Sequence, residues 1–241
     1  MPVVDDLARA REAFERREWL AAYEGLSAAG DDRLFAADFA NLAVSAYLVG
    51  RHNDCVQALQ RAFQAHLDAG DVAAAVRSAF WLAMTLIDRG ETAVAGGWIA
   101  RADRLLTDRE DSVEHGFILF PRMMQTIFSG QFAEGMAMAV QVTDYGRRFR
   151  EPDLLAAGLM SQGRCLMYGG ETRTALSLLD EAMVEVLGGE VSPVFAGQVY
   201  CSCIEACQEI ADFGRVAEWT AALTRWCEAQ PGLLAFTGQC A

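Results

Sequence analysis

Apolar and polar residues follow each other along this chain with the period of an α-helix, and glycine turns interrupt the pattern at regular intervals. Gly50, Gly90, Gly130 and Gly170 lie 40 residues apart, and Gly214 follows 44 residues after the last of these. Between the glycines, apolar residues recur at the spacing that places them on one face of a helix. A fixed period of this length, with one helix pair in each period, is typical of a helical-hairpin solenoid.

The pattern predicts helices joined by short turns throughout the chain. In the first pair Arg17 takes the place of the turn glycine, and after Pro231 the segment GLLAFTGQCA begins a further helix and stops. Pro121 lies inside a predicted helix, which is expected either to kink there or to begin later, because proline removes one bond of the helical ladder. The predicted helices are 5–17, 19–29, 33–49, 53–67, 72–89, 91–106, 113–129, 131–149, 152–168, 171–187, 193–212 and 215–229.

Small residues recur at two fixed distances from the turn glycine. Seven positions before it and five after it, eight of the ten aligned residues are Ala, Gly or Cys, the exceptions being Met123 and Trp219. Small side chains let two helices cross closely. The arrangement resembles tetratricopeptide repeats over residues 5–229. We therefore predict an all-α, right-handed solenoid of about five and a half helix pairs, forming a single domain over residues 1–241 that is cut inside the next repeat.

The charge of the chain argues against nucleic acid and anionic membranes as partners, and its composition bears on its cellular compartment. The net charge is −13, so the chain is expected to be repelled by nucleic acid and by anionic membranes. No apolar run approaches the ~20 residues that span a bilayer, and the first residues lack the pattern of a signal peptide. Seven cysteines without a disulfide framework favour reduced thiols. We expect a cytoplasmic protein.

Candidate chemistry is sparse. Cys203 and Cys207 share a helix face and could offer two thiolates to zinc, but the same positions face the partner helix and no histidine is near in sequence. A buried cysteine that packs as a small hydrophobe is the favoured interpretation. No zinc-protease pattern, nucleophile elbow or P-loop is present. We therefore expect no catalytic residue, no cofactor and no metal. Of the three functions considered for this chain, an enzyme is the least favoured.

The inner helix of each pair is expected to line a concave groove, and in this chain aromatic residues and methionines dominate it. Such side chains suit apolar small molecules or amphipathic helices, while Arg77 and Arg164 offer donors to a carboxylate or carbonyl. Replacing Phe120 with Asp is expected to abolish binding without unfolding the chain. The open alternative is that a tightly curled solenoid, or repeats further downstream, fills the groove as ordinary core. The predicted ligand-binding residues are Tyr47, Arg77, Phe80, Met84, Phe117, Phe120, Met124, Phe128, Met160, Arg164, Met167 and Tyr168.

Read in order, several segments, among them LARAREAFERREW, GRRFREPDLLAAG and GRVAEWTAALTRWCEAQPGLLAFTGQC, resemble the N-terminal half of large actinobacterial LuxR-type transcriptional regulators. The resemblance covers essentially the whole chain. It implies further helical repeats and a helix-turn-helix after residue 241, so the DNA-binding end of that family is absent from this sequence.

These observations favour a non-catalytic sensory or protein-interaction module of a LuxR-type regulator, which binds an apolar small molecule or an amphipathic segment in its groove. The alternative is a stand-alone protein that sequesters a small molecule, for example an apolar antibiotic. Leu233, Leu234 and Phe236 would form an uncovered apolar end, because a solenoid cut within a repeat leaves its core exposed. We therefore expect a homodimer through this end.

Overall fold

The computed structural model describes residues 3–239, which fold into twelve α-helices and contain no β-strand. The all-α helical-hairpin repeat is confirmed, with six helix pairs where the sequence predicted about five and a half. None of the described helices has the length and apolarity that crossing a bilayer requires. The helices are α1 (Val3–Glu15), α2 (Trp19–Ala28), α3 (Ala36–Leu48), α4 (His52–Asp68), α5 (Val72–Asp88), α6 (Thr92–Leu106), α7 (Val113–Phe128), α8 (Phe132–Phe149), α9 (Pro152–Tyr168), α10 (Thr172–Leu187), α11 (Pro193–Glu209) and α12 (Phe213–Glu228).

The described chain divides into two compact units. Unit 1 comprises residues 3–107 together with 225–239, and unit 2 comprises residues 108–224. Unit 1 therefore contains α1 to α6, the last four residues of α12 and the segment that follows it, whereas unit 2 contains α7 to α11 and the rest of α12. The single domain over residues 1–241 and its right-handed superhelix stay predictions.

Each helix pair turns at one residue in the left-handed backbone conformation, two residues before the second helix begins. In the sixth pair that residue is Ala211, with a φ of 58°, and Gly214 lies in α12 without a positive φ. The predicted turn at Gly214 is therefore wrong, and the true repeat follows 41 residues after Gly170. The turn residues are Arg17, Gly50, Gly90, Gly130, Gly170 and Ala211.

Small residues sit where paired helices cross, as the sequence predicted. A Cβ atom on Gly163 of α9 would lie 2.8 Å from the Cδ2 atom of Leu179 in α10. One on Gly135 of α8 would lie 2.5 Å from the Cγ1 atom of Ile127 in α7. Both distances are shorter than carbon atoms tolerate, so a larger residue at either position would force its neighbour on the partner helix to shift.

Pro121 lies inside α7, which begins at Val113 as first predicted. The alternative of a later helix start is therefore wrong. The proline removes one backbone donor from the middle of the helix, yet the helix continues to Phe128 because its apolar face is buried.

The segment after α12 does not begin another helical repeat within the described residues. Residues 231–232 and 235–236 form turns, residues 233–234 have no regular secondary structure, and a short 3₁₀ helix covers Thr237–Gln239. Leu233 is buried within unit 1 and Phe236 is half-buried, so Leu234, 64% exposed, is the only one of the three predicted end residues that is open to solvent. The uncovered apolar end is thus smaller than predicted, and the homodimer through it stays a prediction. Residues 240–241 lie outside the described chain.

Candidate functional site

The predicted groove residues differ widely in exposure. Phe128 is 77% exposed and Tyr168 43% exposed. Five others are buried and five are half-buried, so the structure brings only part of the predicted set to the surface. The buried residues are Phe80, Met84, Phe117, Phe120 and Met160. The half-buried residues are Tyr47, Arg77, Met124, Arg164 and Met167.

In unit 2, Phe195 of α11 fills the space in front of two predicted ligand-binding residues of α7. Its ring centroid lies 5.5 Å from that of Phe120 and 6.4 Å from that of Phe117. All three rings are at most 2% exposed. Aromatic pairs in this range are stabilising packing contacts. At this point the inner face is core, as the alternative of a tightly curled solenoid expected.

In unit 1, the predicted residue Tyr47 lies at the end of α3 among protein neighbours. Its hydroxyl donates to the Oδ2 atom of Asp88, 3.3 Å away, and its ring lies 5.6 Å from that of His52 and 6.4 Å from that of Phe236. The tyrosine therefore connects the ends of α3 and α5 with the segment after α12.

An open cluster lies where the inner helices of unit 2 end. Arg164 and Tyr168, both predicted site residues on α9, are brought together: the guanidinium carbon lies 5.1 Å from the tyrosine ring centroid, and Nη2 donates to the tyrosine hydroxyl. Nη2 also donates to the Oε1 atom of Glu209 on α11, 3.0 Å away. Phe132 of α8 stacks on Tyr168 with ring centroids 4.7 Å apart. Phe128, the last residue of α7, lies on the other side of the turn from Phe132. We call Phe128, Phe132, Arg164, Tyr168 and Glu209 the edge cluster.

The turns explain why these residues meet. Phe128, Tyr168 and Glu209 are each the last residue of an inner helix, two positions before the left-handed residue. Phe132 is the first residue of α8, two positions after Gly130. Because the repeat places equivalent positions of successive helix pairs side by side, these four residues lie along one edge of unit 2.

Arg164 retains a donor that the fold does not use. Its side chain is 15% exposed, and its Nη1 atom is buried without a hydrogen-bond partner among the described residues. A buried donor left unpaired typically costs about 1–3 kcal/mol. An oxygen atom from a bound group would satisfy it, because the guanidinium is a fork of donors suited to carboxylates and carbonyls.

Sequence reasoning missed Phe132, Phe195 and Glu209. Glu209 was overlooked because the turn was placed at Gly214 instead of Ala211. A local signal was available: a polar residue directly follows every left-handed turn residue from the second pair onward. Those polar residues are Arg51, Glu91, Gln131, Glu171 and Asp212.

The cysteine cluster of α11 is packed into the core. Cys201, Cys203 and Cys207 are all buried, and burial raises the pKa of the Cys203 thiol and raises that of Cys207 to about 11. Across residues 3–239 no three histidine, cysteine or acidic side chains are grouped so that they could hold a metal ion. The cluster therefore has the environment of inert, protonated thiols.

Comparison with known proteins bears on the fold. No family model and no curated protein matches the chain. Among solved structures, BtubC (BKLC) from P. vanneervenii is similar with a TM-score of 0.52 and 14% identity, over 93% of this chain and 91% of that one. The apo form of RapI is similar with a TM-score of 0.47 and 10% identity, over 92% of this chain and 75% of that one. At 14% identity the similarity to BtubC shows the helical fold alone.

Proposed function

We propose that this chain is a non-catalytic protein-interaction module and that the edge cluster of unit 2 binds an amphipathic segment of a partner protein. The observation that carries the proposal is the exposure of Phe128, 77%, and of Tyr168, 43%, beside an arginine with an unused donor. Exposed aromatic residues and arginine are the side chains that most often dominate binding energy at protein interfaces.

The edge cluster suits a protein segment better than a small molecule. Small-molecule sites are usually concave and cover most of the ligand. Phe128 instead lies at the exposed end of α7, while Phe117 and Phe120 of the inner face pack against Phe195. An amphipathic helix can lay its apolar face on Phe128, Phe132 and Tyr168.

The chemistry of the partner follows from Arg164 and Glu209. The Nη1 atom of Arg164 is a hydrogen-bond donor without an acceptor among the described residues. Glu209 does not fill this role, since it already accepts from Nη2 of the same guanidinium. The segment would therefore carry an apolar face together with one carboxylate or exposed carbonyl that reaches Arg164. Such a pairing would fix the register of the segment on the edge.

The setting of this module is proposed on the sequence resemblance alone. In a LuxR-type regulator, a bound partner segment would bias the activity of a DNA-binding end that lies outside residues 1–241. The gene's sequence downstream of residue 241 tests this setting separately, because a helix-turn-helix there is expected and a stop codon would contradict it.

Binding at the edge cluster can be tested with helical peptides. Peptides selected by display against the wild-type chain are measured by fluorescence anisotropy on the wild type and on a Phe128→Ser variant. We expect the variant to lose at least about tenfold in affinity, because a truncated interface anchor typically costs ~1.4 kcal/mol or more.

Phe35 supplies the matched control. It is 72% exposed, nearly as much as Phe128, but lies in unit 1. The Phe35→Ser variant should bind the selected peptides as the wild type does. Equal affinity for wild type and Phe128→Ser would contradict the proposal, as would an equal loss in both variants.

A further inference from the structure

The segment after α12 is attached to the start of unit 1 by a buried side-chain hydrogen bond. The indole nitrogen of Trp19, at the start of α2, donates to the Oε1 atom of Gln230, 3.0 Å away. The amide nitrogen of Gln230 donates to the backbone carbonyl of Trp226, 2.9 Å away. Trp19 is 2% exposed and Gln230 4% exposed. The glutamine amide therefore joins the end of α12 to α2 with both of its polar atoms in use.

Two consecutive backbone amides of the same segment donate hydrogen bonds to one carbonyl oxygen. The amides of Leu234 and Ala235 both donate to the carbonyl oxygen of Leu48, at 2.9 and 3.0 Å. Leu48 is the last residue of α3, and the final carbonyls of a helix have no partner within the helix. The segment thus satisfies both lone pairs of an acceptor that α3 leaves free.

Side chains of the segment fit the same face of unit 1. Leu233 is 7% exposed, and the ring of Phe236 lies 6.4 Å from Tyr47 and 6.3 Å from Trp226. Gly232, with a φ of 82°, passes so close to α2 that a Cβ atom would lie 2.7 Å from the Cβ atom of Leu20. Only glycine fits there. We call residues 230–239 the strap.

We propose that the strap occupies a peptide-docking face of unit 1, formed around Trp19, Leu20, Tyr47 and Leu48, as an intramolecular ligand. The contacts define what the face accepts: an uncharged, non-helical segment of the pattern Gln-x-Gly-Leu-x-x-Phe. The glutamine pairs with the indole, the glycine passes Leu20, the leucine is buried, and the phenylalanine reaches Tyr47. A partner segment with this pattern would displace the strap. This face is independent of the edge cluster.

Attachment in the same chain gives the strap an advantage over any free segment. A tethered segment competes at an effective concentration that reaches the millimolar range for short tethers. In the wild type, the strap therefore prevents weakly binding segments from occupying the docking face. Displacement of the strap by a partner segment would leave the indole donor of Trp19 and the carbonyl acceptor of Leu48 without hydrogen bonds. The partner segment must therefore supply an acceptor for Trp19 and a donor for Leu48.

The experiment uses the full chain and a labelled peptide of residues 230–239, QPGLLAFTGQ. The Leu233→Asp variant weakens the strap but leaves the acceptor face unchanged. We expect it to bind the peptide at least about tenfold more tightly than the wild type does. The Leu234→Asp variant is the matched control, because Leu234 is 64% exposed, and it should behave like the wild type. A peptide with Asp in place of its first leucine should not bind.

Hydrogen exchange on the wild type provides a test without substitutions. The amides of Leu234 and Ala235 should exchange at least about tenfold faster than the amide of Ala46 in α3, because the strap opens without unfolding the unit. The proposal is overturned if these amides exchange at the same rate as that of Ala46, or if folded Leu233→Asp does not bind the peptide. It is also overturned if the wild type is a dimer that Leu233→Asp converts to a monomer, which would indicate that the strap is exchanged between copies.

Discussion

Phe195 lies edge-on to Phe120, with ring centroids 5.5 Å apart and ring planes at 75°. The two residues come from α11 and α7, which are two helix pairs apart within unit 2. The sequence predicted an open groove at Phe120, but this contact buries the residue in a packed interior. It also changes what substitution at Phe120 should do.

Phe120→Ala should destabilise unit 2. Removing a fully buried phenylalanine leaves a cavity and costs about 3–5 kcal/mol, so the urea midpoint should fall markedly. Phe120→Asp, which the sequence alone indicated would stay folded, should unfold the unit because it also buries a charge. The control is Phe128→Ala, whose side chain is 77% exposed and whose loss should stay within about 0.5 kcal/mol. Equal effects of the two alanine substitutions would show that Phe120 is not core.

The helices could be predicted from the sequence because their apolar period is a local property. The helix predicted over 72–89 is observed as Val72–Asp88, and the one predicted over 152–168 has the observed bounds Pro152–Tyr168. The crossing glycines Gly135 and Gly163 were also found from their fixed distance to the turn.

The contacts that close the inner face could not be found in this way. Phe195 meets Phe120 because of how strongly successive pairs curl, which no local pattern encodes. The hydrogen bond from Trp19 to Gln230 spans 211 residues of sequence. Part of the edge cluster was predictable, since Arg164 and Tyr168 share one helix. Glu209 was missed because the turn nearest to it lacks glycine.

Substitutions at the sixth turn should distinguish Ala211 from Gly214 as the repeat position. Ala211 has a φ of 58°, which strains a residue with a Cβ atom, so Ala211→Gly should stabilise the chain by about 1 kcal/mol. Gly214→Ala should be neutral or stabilise by up to about 1 kcal/mol, because Gly214 is helical and the nearest atom to an added Cβ is 3.5 Å away. Urea unfolding measures both.

The matched control is Gly170→Ala at a confirmed turn. Gly170 has a φ of 84°, so the substitution should destabilise the chain by about 1 kcal/mol or more. If Gly214→Ala destabilised the chain as much as Gly170→Ala does, the turn assignment at Ala211 would fail.

The cysteines should differ sharply in reactivity towards iodoacetamide. Burial raises the pKa of Cys55 to about 12 and that of Cys207 to about 11, whereas Cys227 is half-buried. The thiolate is the reacting form, so at about pH 8 Cys227 should be labelled at least about tenfold faster than Cys55 or Cys203. Peptide mapping by mass spectrometry follows each site, and labelling in urea provides the reference in which all sites react. Rapid labelling of Cys203 in folded protein would contradict its burial.

The ion pair between Arg11 and Asp38 should make unit 1 sensitive to acid. Arg11 donates from Nε and Nη2 to the two carboxylate oxygens of Asp38, both at 2.7 Å, and the Phe35 amide donates to Oδ2 at 2.9 Å. The hydrogen bonds from Arg11 are the main reason that the pKa of Asp38 is lowered in the folded chain. In the unfolded chain the carboxyl group regains an ordinary pKa of about 3.9. Above that value both states are ionised and the stabilisation is fully present, and it is lost as the pH falls through the lower folded pKa.

Asp38→Asn should therefore destabilise the chain at about pH 7, by about 1–3 kcal/mol, because Arg11 loses a charged acceptor. The difference in free energy of unfolding between wild type and variant should shrink when the pH is lowered below about 4, since Asp38 itself becomes protonated. Asp6→Asn is the control: Asp6 pairs with Arg9 but is 56% exposed, and its loss should stay within about 0.5 kcal/mol at either pH. Urea unfolding across this pH range measures all three proteins. If the difference between wild type and Asp38→Asn were the same at about pH 3 as at about pH 7, the carboxylate of Asp38 would not be the source of the stabilisation.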